Sequence, residues 1–184
     1  MKVFVGIILA IVTLGYPIIV YQGLKHFDFQ ALALFLASVL TVKLVLQRRA
    51  TSKVFNYILG VGISFLVLSS VLNLQVGMLL YPVVINACML FVFGASLKWK
   101  PCIIERLARI REPDLPPKGV QYTEKVTKVW CAFFVINMLV SLYTALLAPI
   151  EVWTLYNGLI AYIAMGLLFL GEWLVRIKVR KHHE

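Results

Sequence analysis

Asn86, Asn137, Asn157 and Glu172 stand inside long apolar runs of a 184-residue chain, Arg176 stands at the edge of the last one, and these are the groups there best equipped for chemistry. A polar or ionisable side chain held within a membrane is costly, which makes each of them a candidate functional group. An amide can line a binding cavity, or it can join helices through interhelical hydrogen bonds worth about 0.6 kcal/mol on average. Glu172 and Arg176 lie one turn apart, the spacing of an ion pair. A carboxylate at that position could also carry a proton or a cation. A second group, Arg106, Arg109, Glu112, Asp114 and Tyr122, shares the polar interval 98–128, which holds eight of the eighteen Lys and Arg residues. Together with Glu105, such a set could bind an anionic lipid headgroup or an acyl phosphate, or could dock a partner.

No catalytic constellation is legible: no nucleophile sits beside a base at a diagnostic spacing, and no carboxylates pair. His26, His182 and His183, with Cys88, Cys102 and Cys131, lack the spacing of metal ligands, so neither a metal nor a cofactor is expected.

The elements that must carry these residues follow from composition. With 61% hydrophobic and 14% charged residues, the chain is far more apolar than soluble domains, which carry about 25% charge. A bilayer core of about 30 Å takes about 20 helical residues per crossing. Residues 3–21, 31–46, 54–72, 76–97, 129–150 and 152–175 come near that length. The runs are too long, and too apolar on every face, for barrel strands. The expected fold is therefore an all-α polytopic transmembrane bundle of six helices. Its segments are a four-helix part (1–97), a basic amphipathic loop (98–128) and a two-helix part with a basic tail (129–184). Starting inside and crossing six times puts seventeen of eighteen positive charges on the cytoplasmic side, leaving Lys25 outside. Both termini are then cytoplasmic. The net charge of +10 is accounted for by topology, so nucleic acid is not an expected partner, whereas membrane lipids are. Other inner-membrane envelope proteins, or a second copy of the chain, are further candidate partners.

Within the interval, Ile103, Ile104, Leu107 and Ile110 recur at helical spacing after Pro101, which predicts a short amphipathic helix lying in the membrane interface. Glu112-Pro113-Asp114-Leu115-Pro116-Pro117 ends it as an elbow, and the next helix is expected to start near Tyr122 or Thr123. Trp99, Trp130, Trp153 and Trp173 fall near predicted helix ends and are expected to anchor in the headgroup zone. The small-residue pairs Ala33/Ala37, Gly60/Ser64 and Ser141/Ala145 are expected to bring helices close. Tyr16-Pro17-Ile18-Ile19 and Tyr81-Pro82-Val83-Val84 read either as a duplicated three-helix unit or as two independent proline kinks.

Lys100-Pro101, Ile104, Arg106, Leu115-Pro116, Trp130, Phe133-Phe134, Asn137 and Trp153 carry a further signal. In their order and spacing, the half of the chain from the fourth apolar run onward resembles the bacterial inner-membrane septation protein A (intracellular septation protein) family. The chain departs from that pattern at Glu105, Arg109-x-x-Glu112-Pro113-Asp114, Tyr122-Thr123 and Tyr156-Asn157-Gly158. There it is similar to a sister group of polytopic inner-membrane proteins, some encoded beside aryl-polyene biosynthesis genes. The resemblance implies a small bacterial inner-membrane protein that supports envelope integrity or septation as a scaffold or partner-binding protein. The alternative is a lipid- or acyl-chain-handling transporter or accessory protein.

Overall fold

The computed structural model describes residues 16–47, 53–72, 74–110 and 112–181, and every regular element among them is helical. In chain order these are α1 (Tyr16–His26), α2 (Phe29–Gln47), α3 (Lys53–Val71), α4 (Gln75–Lys98), α5 (Ile103–Arg109), α6 (Pro117–Leu147), α7 (Ile150–Leu155), a π-helical turn (Tyr156–Ile160) and α8 (Ala161–Lys181). The last three run on as one rod. Four stretches are long and apolar enough to cross a membrane: Lys53–Val71, Val76–Lys98, Pro117–Leu147 and Ile150–Trp173. Gln30–Leu46 is a shorter apolar helix, in keeping with the second run being the shortest of the six. Most of the first expected crossing, the Arg48-Arg49 turn and the His182-His183 pair lie outside the described residues.

Connections of a few residues force consecutive helices to run antiparallel. The broadest contact is between α4 and α6, followed by α2 with α3 and α3 with α4. On α6 the buried positions are Thr123, Thr127, Trp130, Phe134, Asn137, Ser141, Thr144 and Ala145. From Thr123 to Thr144 they alternate steps of four and three, the seam of knobs-into-holes packing. The seam is more polar than the opposite face, which carries the exposed Val129, Ile136, Leu139 and Leu146. That polarity is what lipid imposes: apolar side chains gain nothing by leaving hydrocarbon for a protein interior, so small and polar residues line the contact instead.

Two packing centres result. An apolar one gathers Val20, Leu32, Leu36, Leu66, Met78 and Tyr81 around Trp153, whose side chain is 0% exposed. An aromatic one joins α4, α6 and α8 through Trp130, with ring centroids 4.6 Å from Phe169, 5.7 Å from Phe134 and 6.3 Å from Phe93. Trp130 and Trp153 are therefore core residues rather than interface anchors. Trp153 makes the more telling departure, because its indole N–H donates to the Leu79 carbonyl at 3.0 Å. That bond ties the final rod to α4 one turn before Pro82; the carbonyl that Pro82 itself leaves without a helical N–H is that of Met78. Trp99 is exposed at the end of α4, and Trp173 is exposed where the last apolar stretch ends, although α8 itself continues to Lys181.

Small residues also sort differently from expectation. Ala33 with Ala37 and Ser141 with Ala145 are buried as close-packing pairs. Gly60 is not at a tight contact: a Cβ there would meet nothing within 4 Å, and Ser64 is exposed. Gly62, two residues on and on the opposite face, meets α4, where a Cβ would come 2.9 Å from Cε2 of Tyr81. At the other end of the same pair, a Cβ on Gly77 would overlap Ser69.

Candidate functional site

The sequence-derived candidates fall into two groups about 20 Å apart along the bundle, as counted at 1.5 Å rise per residue from Asn137 to Thr123.

In the first group, Asn86 of α4 and Asn137 of α6 meet directly. The Asn137 Nδ2 donates to Asn86 Oδ1 at 3.0 Å, and the Asn86 Nδ2 donates to the Pro82 carbonyl at 2.8 Å. On its other side Asn137 Oδ1 accepts from the Tyr156 hydroxyl at 2.8 Å. One turn further along α6, the Ser141 hydroxyl donates to Asn157 Oδ1 at 2.7 Å, and Asn157 Nδ2 donates to the Trp153 carbonyl at 3.0 Å. Two sets of side chains, Asn86–Asn137–Tyr156 and Ser141–Asn157, thus tie α4, α6 and the final rod together. All three asparagines are buried. Among the described residues no buried side-chain nitrogen or oxygen lacks a hydrogen-bond partner. The π-helical turn is closed by the Ala161 N–H on the Tyr156 carbonyl. It adds one residue to the turn and presents Tyr156 and Asn157, adjacent in sequence, to Asn137 and Ser141, which are four apart on α6. Widened turns of this kind often mark functional positions in helices.

Tyr156 and Ser141 were not among the sequence candidates. Ser141 stands at i+4 from Asn137 and shares its face, a usable signal. Tyr156 had none, because its role depends on the local π geometry.

The second group is the elbow. Cys102 is fully buried, with its thiol 3.8 Å from the Thr123 hydroxyl of α6, and the first N–H of α5, at Ile103, donates to the Ser96 hydroxyl of α4 at 3.1 Å. α5 is therefore held by both long helices. Glu105, 5% exposed, takes an ion pair from Arg109 at 2.9 Å, and Arg109 Nη1 also donates to the Pro113 carbonyl at 2.8 Å. Arg109 thereby clasps α5 to the elbow. Arg106 Nε donates to the Pro101 carbonyl at 2.9 Å, folding back over the turn that leads out of α4. Lys100 and Lys128 both pair with Glu124, and the bond to Glu124 holds the Lys100 amine above its ordinary value. Glu112 and Asp114 are exposed at the elbow tip. The helix after the elbow starts at Pro117, several residues before Tyr122. A proline at the first helical position has no N–H to leave orphaned, so the double proline opens the helix rather than preceding it. The polar interval is thus two helices and a short elbow rather than an open loop.

Tyr122 and Glu172 are brought together, but through the backbone: the Tyr122 hydroxyl donates to the Glu172 carbonyl oxygen at 3.2 Å. The Arg176 side chain, and with it the expected pair to Glu172, lies outside the described residues. Glu105, a member of the sequence-derived set of the polar interval, is spent on Arg109 at the i−4 spacing, while Lys100 and Glu124, which complete the elbow, were not among the sequence candidates.

Compared with known proteins, the chain matches no family model, no curated protein and no solved structure.

Proposed function

We propose that the chain is a bacterial inner-membrane protein that crosses the bilayer six times with both termini in the cytoplasm. There it serves cell-envelope integrity or septation as a scaffold, with the elbow as its partner-binding element. The observation that carries the scaffold reading is the use made of Asn137, whose amide is spent on both sides, toward Asn86 and toward Tyr156. Groups committed to joining helices hold a bundle in one arrangement. The elbow supports the same reading. It is fastened at Glu105, Arg109 and Glu124, and its carboxylates Glu112 and Asp114 point into water, where a partner could reach them. The likeness to septation proteins supports the envelope setting. Its residues Trp130, Phe134, Asn137 and Trp153 are packing residues of this bundle, so what they carry is an architecture.

A photo-crosslinking residue placed at Glu112 or Asp114 in living cells tests the reading. The expected result is a reproducible protein neighbour that is absent when the same probe replaces Phe91, which is exposed on α4 within the apolar stretch. Absence of any specific neighbour from the elbow sinks the scaffold role. Suppose instead that deletion alters lipid or pigment composition, and that an Asn137→Leu variant of normal abundance fails to restore it. The lipid- or acyl-chain-handling alternative then takes its place.

A further inference from the structure

The outward side of α5 is built for something that α6 does not supply. At helical periodicity Ile103, Leu107 and Ile110 share one face, opposite the buried Glu105 and Ala108. Leu107 is 57% exposed and Ile110 77% exposed. Beside this ridge the turn out of α4 presents Trp99, 63% exposed, with Lys98 Nζ 5.6 Å from its ring. Arg106 is pinned over the same turn by the Pro101 carbonyl. The carboxylates nearest in the fold are already engaged, Glu105 by Arg109 and Glu124 by Lys100 and Lys128. Lys98, beside the exposed indole, and Arg106, held at Pro101 two residues further on, have no carboxylate partner among the described residues, so two cations on this turn carry uncompensated charge.

The level of this turn follows from the helices that hold it. Asn86 and Asn137 sit midway along the apolar parts of α4 and α6, and in a bilayer centred on them the hydrocarbon edge falls about ten residues away, near Ser96 and Thr127. Thr123, which contacts Cys102 at the start of α5, then lies about 6 Å beyond that edge, among the headgroups.

We propose that Lys98, Trp99 and Arg106 form a seat for the phosphodiester of an anionic phospholipid, with the Ile103, Leu107 and Ile110 ridge immersed in the same leaflet. The inference rests on the membrane-spanning part of the functional reading, not on the scaffold role. A phosphodiester offers oxygens to the guanidinium and ammonium, the indole packs at the glycerol level, and the ridge buries apolar area in acyl chains. A headgroup without its own cation is preferred, because nothing in it competes with the two basic side chains.

The test uses the full chain in nanodiscs of phosphatidylcholine with a minor fraction of phosphatidylglycerol. Benzoylphenylalanine replaces Leu107, Ile110 or, as a control within the span, Ile136, and adducts are identified by mass. Lipid adducts are expected at 107 and 110 with phosphatidylglycerol enriched about fivefold or more over its mole fraction, against bulk composition at 136. Arg106→Gln and Lys98→Gln should each lower the enrichment about fivefold, and molar salt should lower it in the unsubstituted chain, a readout that requires no variant to fold. An absence of lipid adducts at 107 and 110 overturns the proposal. So does bulk composition there, or enrichment that survives both salt and the double substitution. Partner crosslinks from Glu112 or Asp114 are scored in cells, so the scaffold reading can fail or stand independently.

Discussion

Replacing Asn137 by Leu keeps the branching and heavy-atom count of the side chain and deletes the centre of the Asn86–Asn137–Tyr156 hydrogen-bond chain. Two bonds disappear, from Asn137 to Asn86 and from Tyr156 to Asn137. At about 0.6 kcal/mol for an interhelical bond this amounts to about 1.2 kcal/mol. Stranding the Asn86 oxygen, which is buried, raises the expected loss to about 2–3 kcal/mol. Asn86→Leu removes the same shared bond together with the one to the Pro82 carbonyl. The double variant puts two apolar side chains face to face and leaves no stranded amide between α4 and α6. It should therefore cost less than the two single changes added, by a coupling of about 0.6–1.7 kcal/mol. Reversible unfolding of the four proteins in mixed detergent micelles measures this directly. Strict additivity would show that the two amides do not act on one another and would refute the account of how α4 and α6 are joined.

Gly62→Ala should loosen the α3 and α4 contact by about 1–3 kcal/mol, since Tyr81 is buried and cannot retreat from the added methyl. Gly60→Ala, with open space around it, should be neutral or gain up to about 1 kcal/mol from helix propensity, and the same unfolding assay separates the two. Trp153→Ala should cost about 3–5 kcal/mol by emptying the centre of the apolar cluster, whereas Trp99→Ala should barely move the unfolding midpoint. A single cysteine at Asp28 should label with impermeant reagent in intact cells and one at Lys118 should not; the reverse pattern would invert the topology. The Lys100 amine is raised above its ordinary value by Glu124. Its contribution to holding α5 against α6 is therefore complete below the ordinary lysine range, about 10.5, and is lost as pH climbs through the raised value. Protease cutting at the elbow of detergent-solubilised protein should rise over that alkaline interval, and Glu124→Gln should abolish the dependence.

Several features were legible before any coordinates because they rest on local physics. Apolar length dictates helices that can cross a bilayer. The spacing of Ile103, Ile104, Leu107 and Ile110 marks a short amphipathic helix, and α5 covers Ile103–Arg109. The polar seam of α6 was also present in the sequence, since Thr123, Thr127, Trp130, Phe134, Asn137, Ser141 and Thr144 alternate by four and three. It is easily missed because in lipid the buried face is the polar one, the reverse of the soluble pattern.

Other features belong to the tertiary structure alone. Tryptophans near helix ends have the same local sequence signature whether they face headgroups or a core. Trp153 lies within, where its indole N–H reaches the Leu79 carbonyl of α4, and Trp99 stays exposed although Arg106 folds over the same turn. Gly60 and Gly62 are equally small, and only the position of Tyr81 decides which one is a contact. The asparagines could have faced a cavity or one another. Residue type requires each buried amide to find a partner, but which partner depends on the register of α4 against α6 and on the extra residue in the π-helical turn. The sequence by itself determined a set of apolar helices and a polar interval between them, because length, periodicity and charge act over a few residues. Which polar groups lock that set and which remain on its surface was decided by contacts between residues as far apart as Leu79 and Trp153, which no local pattern records.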